Sequence, residues 1–109
     1  MIIRKWTAPI PIHKREEYIN YIMQTGFAEY NTTKDNQGAF LTLEERGDKL
    51  YVTTLTFWES VDPITCFAGE NYQLTKYYKR DDEFLLEMPK YVEHQEMIYG
   101  SSREIRVNI

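Results

Sequence analysis

The chain has 109 residues, 42% of them hydrophobic and 28% charged, a balance that fits one globular domain and excludes a disordered tract. Its net charge of -4 at pH 7, with no dense Lys/Arg stripe, argues against a nucleic-acid-binding surface. One cysteine excludes an internal disulfide, no run is apolar enough to span a membrane, and the N-terminus reads as a strand rather than a signal peptide, so a reducing cytoplasm is expected.

The first element is "MIIRKWTA", a strand with Ile2, Arg4 and Trp6 on one face and Ile3, Lys5 and Thr7 on the other. "PIPI" is expected to end it, because proline lacks the donor a ladder needs. "IHKREEYINYIMQTG" has helical period, with Ile12, Ile19, Ile22 and Met23 on the apolar side and Tyr18 at its edge. Glu16 and Glu17 suit the positive end of the helix dipole, and Gly26 reads as the stop. "FAEYNTTKDNQG" reads as an irregular connection.

"AFLTLEE" and "KLYVTTLTFW" are strands two and three, and Arg46 to Asp48 is the turn between them rather than an adhesion motif. Ser60 is placed to cap a helix, with Asp62 and Pro63 in its first turn. That helix, "SVDPITCFAG", ends at Gly69. "ENYQLTKYYKRDDEFLLEM" is expected to be a second helical piece that loosens near Asp81 and Asp82. Pro89 breaks what remains, and "YVEHQEMIY" alternates as strand four, with Val92, His94, Glu96 and Ile98 on one face. Residues 100–109 are a tail or a short extra strand, since Ile105, Val107 and Ile109 alternate.

The order β-α-β-β-α-β is the ferredoxin-like plan: an α+β domain with helices on one face of a four-stranded antiparallel sheet. The other face needs a cover, and pairing with a second copy would supply it. A homodimer is therefore expected.

Four pieces, in order, carry a resemblance: Trp58 to Ser60, Phe67 to Glu70, Tyr77 to Asp82 and Val92 to His94. Residues 1–99 resemble small bacterial members of the antibiotic biosynthesis monooxygenase (ABM) domain superfamily. The resemblance implies a dimeric α+β barrel with a pocket between sheet and helices. It brings cofactor-independent oxygenases of aromatic polyketides and haem-degrading oxygenases into view. The haem-degrading branch uses an asparagine on strand one, a tryptophan ending strand three and an axial histidine on the next helix. Only the tryptophan, Trp58, has a counterpart here. By the polyketide pattern, Trp58, Asn71, Tyr72, Tyr77 and Tyr78 would bind substrate and His94 would be the base.

Each candidate also has a plainer reading. Trp58 can be core packing, and His94 a hydrogen-bonded structural histidine. His13 is expected to be exposed, Cys66 to be a buried or partly buried thiol, and "KRDDE" to be a solvated turn. On a helix, Tyr77 and Tyr78 would point in different directions, so at most one would face a cavity. With no Cys/His cluster and no nucleotide motif, neither a metal nor another cofactor is expected. The expected activity is cofactor-independent monooxygenation of a small aromatic or quinol-like compound. The alternative is a non-catalytic protein that binds a small ligand.

Overall fold

The computed structural model describes residues 1–105 and 107. Strand β1 runs Ile2–Pro11, β2 Asn36–Arg46, β3 Lys49–Trp58 and β4 Glu93–Glu96. They form one antiparallel sheet in the order β2-β3-β1-β4. Helices α1 (Arg15–Gln24) and α2 (Gly26–Thr32) follow β1, and α3 (Val61–Ala68) follows β3. The fold is α+β and compatible with the ferredoxin-like plan. Among the described residues no helix is long and apolar enough to cross a membrane.

Alternation along β3 sets the two faces. Leu50, Val52, Thr54, Thr56 and Trp58 are all buried, and the residues between them are half-buried. Register places Ile2, Arg4, Trp6, Ala8 and Ile10 of β1 on that same face. The main core sits there: Ala8, Ile10, Leu50 and Val52 pack with Tyr18, Tyr21 and Ile22 of α1, Phe27 of α2, and Phe84 and Leu85. A smaller cluster of Trp58, Ile64 and Phe67 joins the end of β3 to α3. Ile3, Lys5, Thr7, Thr53, Leu55, Phe57 and Phe40 point to the far face, which contributes to neither cluster.

Several expectations need correction. "PIPI" does not end β1, which pairs with β3 through Pro11. The pairing of β1 with β4 ends at Lys5. The Pro9 carbonyl faces the β4 side and accepts from Leu86 N at 2.9 Å, so the missing proline donor costs no ladder bond. Gly26 does not stop the helical region but opens α2. The break is at Thr25 (φ -110, ψ -89), whose hydroxyl bonds back to the Tyr21 carbonyl. The apolar side of α1 is Tyr18, Tyr21 and Ile22, while Met23 is 44% exposed.

Residues 70–80 are not a helix. Leu74 bridges Tyr91; Thr75 N donates to Lys90 O and Val92 N to Gln73 O. These cross-chain bonds use the donors a helix would need, and they hold Tyr91 and Val92 out of β4. Strand four is correspondingly short. Ser60 precedes α3 as expected, but its side chain makes no capping bond. The α3 helix ends at Gly69, whose φ of +96 favours a residue without a Cβ. Residues 97–105 and Val107 show no strand; Ile109, the last residue of the expected tail strand, lies outside the described residues.

Candidate functional site

The site begins with Arg4. Its place on β1 puts it on the helix-covered face, directly across from Thr56 on β3 and His94 on β4. It is only 4% exposed. Among the described residues it makes no ion pair, although a buried charge normally has one. Instead, Nη1 donates to the Tyr72 carbonyl and Nη2 to the Leu74 carbonyl at 3.2 Å. Nη1 also lies 3.0 Å from His94 Nε2, and the guanidinium sits over the Phe67 ring, 5.8 Å from its centroid. Burial lowers the Arg4 pKa, but a guanidinium remains charged and can only donate.

That chemistry fixes the role of the His94 ring. Arginine cannot accept, so a hydrogen bond along this contact needs the lone pair of His94 Nε2. Burial first, and the Arg4 charge second, hold the His94 pKa below the usual histidine range. The Tyr72 ring meets His94 edge-on at 5.1 Å. Both line an open hollow of about 450 Å³ with Ile2, Val61, Glu59 and Glu96. That volume lies within the usual range for small-molecule sites.

The other expected ligand residues do not converge on this hollow. Tyr77 and Tyr78 line a separate inner chamber with Arg4, Trp6, Tyr30 and Asp81. Both touch it although their hydroxyls run to different partners; the expectation that at most one could face a cavity assumed a helix, and the chain there is not helical. The chamber holds about 40 Å³ of space. That suits a few waters; an apolar cavity known to take benzene measures about 150 Å³. The Tyr77 hydroxyl donates to the Pro89 carbonyl and the Tyr78 hydroxyl to the Glu29 carboxylate. Burial, and for Tyr78 also Glu29, raises both tyrosine pKa values.

Trp58 is 0% exposed and lines neither space. Its indole N–H donates to Thr56 Oγ1 at 2.8 Å and its ring packs on Phe67 at 5.6 Å, so it is a satisfied core residue. Asn71 is exposed and outside both linings. Cys66 is exposed too, against expectation, because α3 turns Ile64 and Phe67 inward. His13 is exposed as expected.

Arg4 and Asp81 were missed as site residues. Arg4 had a signal: it shares a strand face with Ile2 and Trp6, an unusual place for a charge. Asp81 had none, since "KRDDE" reads as surface. Yet Asp81 is 7% exposed and accepts from Tyr78 N at 2.6 Å, and burial raises its pKa. Among the described residues, no group of three or more His, Cys, Asp or Glu could hold a metal. No family model and no curated protein matches the chain.

Proposed function

We propose that the hollow beside His94 and Tyr72 binds a small aromatic or quinol-like compound, and that the chain is a cofactor-independent monooxygenase acting on it. The observation that carries this reading is one open space of about 450 Å³ lined by the Tyr72 and His94 rings, with the buried Arg4 in contact with His94. Loss of a proton from the ring CH₂ of an anthrone-like substrate, the keto form of a phenol, gives a phenolate with carbanion character at that carbon. Dioxygen adds at that carbon; one oxygen atom stays as a carbonyl and the other leaves as water. The substrate supplies all the electrons, so the protein has to orient it and stabilise charge. Glu59 and Glu96 line the hollow and are the carboxylates available to accept the proton.

A second reading, a non-catalytic ligand-binding protein, is favoured by one observation: the His94 Nε2 lone pair is already engaged by Arg4. The same purified sample separates the two readings. Mass spectrometry of carried ligands would identify a bound aromatic. Oxygen uptake with anthrones, which carry the reacting CH₂, would then follow. Oxygen consumption with a carbonyl product supports the monooxygenase. An aromatic bound and recovered unchanged supports the binding protein. A Soret band in the absorption spectrum would overturn both.

The proposed assembly is a homodimer, a dimeric α+β barrel of ferredoxin-like subunits. Its support is the strand order and the far sheet face, where Phe40 and Phe57 pack edge-on at 5.8 Å beside Ile3 and Leu55.

A further inference from the structure

We propose that Arg4 fixes His94 as the Nδ1–H tautomer, making His94 a hydrogen-bond donor to a carbonyl or phenolate oxygen in the hollow rather than a proton acceptor. The ligand half of this inference rests on the function proposed above; the tautomer half does not. The geometry carries it in three steps. Arg4 Nη1 lies 3.0 Å from His94 Nε2, and a guanidinium has no lone pair to offer. Arg4 cannot easily turn away, because its other bonds run to the carbonyls of Tyr72 and Leu74. Among the described residues Nδ1 has no protein partner, yet it is not sealed from solvent, and the opening beside His94 is the hollow.

The charges around the ring define the ligand. Arg4 faces it from β1, the Tyr72 ring meets it edge-on, and Glu59 after β3 and Glu96 on β4 share the lining of the hollow with it. One cation lies behind the imidazole and acidic groups stand at the rim. A doubly charged phosphate would meet repulsion there, whereas a single ring-bound oxygen needs one donor and an apolar wall. His94 supplies the donor, and Ile2 and Val61 supply the wall. Because Arg4 pulls on Nε2, it polarises the imidazole and strengthens the Nδ1 donor.

Nitrogen-15 NMR of the histidine ring in the ligand-free protein near neutral pH tests the tautomer. The expected result is a proton on Nδ1 and a bare Nε2; a proton on Nε2 would overturn the proposal. The ligand half uses 4-nitrophenolate as the probe. His94→Ala should weaken its binding about tenfold, the loss of one hydrogen bond to a charged group. His94→Asn, whose amide nitrogen reaches the Nδ1 place, should bind close to wild type. His94→Gln reaches the Nε2 place and should behave like the alanine variant. Equal binding by all three would overturn the donor role. Failure of the wild type to bind would overturn the ligand half together with the proposed function, while the NMR result would still decide the tautomer.

Discussion

Single residues here have roles that their type does not announce. Trp58 is the largest fully buried side chain, and its indole N–H is satisfied within its own strand. Its replacement by alanine should therefore cost stability, about 3–5 kcal/mol, and leave ligand binding at the His94 hollow little changed. Urea unfolding beside a ligand titration reads both; a stable variant with lost binding would contradict the assignment. His94 gives a second expectation, in pH. An unfolded histidine titrates near 6.5, and burial and Arg4 lower the folded value. Above 6.5 the ring is neutral in both states. As pH falls below 6.5 the unfolded chain takes its proton first, so the folded state loses stability until the lower folded pKa is passed. Melting temperatures across this range should fall more steeply for wild type than for His94→Gln, and parallel curves would argue against the shift.

At the scale of elements, residues 70–80 form a strap held by named bonds. Lys76 Nζ bonds to Glu29 Oε2 at 2.5 Å and to the Phe67 carbonyl at 2.8 Å, and Tyr78 donates to the same carboxylate. Glu29→Ala would release both partners. Amide exchange at Thr75 and Val92, which bond across to Lys90 and Gln73, should then quicken about tenfold, the effect of losing roughly 1.5 kcal/mol of charge-assisted bonding. Unchanged exchange would mean the strap is held elsewhere. This is also where the sequence was least legible. The run of β-branched and aromatic residues gave β3 its bounds but not its buried face, because the row of Leu50, Val52 and Trp58 and the row of Tyr51, Leu55 and Phe57 are both apolar and only the packed helices distinguish them. The strap carries no period: its backbone partners lie at residues 90–92, and its anchors are a glutamate on α2 and an arginine on β1. The same distance hid α2, whose start follows from the backbone at Thr25 rather than from Gly26. His94 and Tyr72 were legible as candidates by type. Their shared hollow, and the cation behind them, depend on strand register across β1 and β4.

For the whole molecule, the two faces of the sheet are unequal. One carries both helix-packed clusters; the other presents Ile3, Phe40, Leu55 and Phe57, each half-buried in the single chain. A dimer through that face would finish burying them, at about 25 cal/mol per Å² of apolar surface removed from water. Wild type should sediment as a dimer at micromolar concentration, and Leu55→Asp as a monomer that keeps its circular dichroism. Sedimentation of both as monomers would refute this assembly.

The central claim is that small aromatic compounds bind at the Arg4-backed hollow. Its most direct measurement is a titration of the isotope-labelled protein with hydroquinone under argon, followed by backbone amide shifts. The account predicts saturable shifts concentrated at Ile2, Val61, Tyr72, His94 and Gln95, which surround the hollow. Shifts at Trp6, Tyr77 and Tyr78 instead, around the inner chamber, or no saturable shift at all, would contradict it.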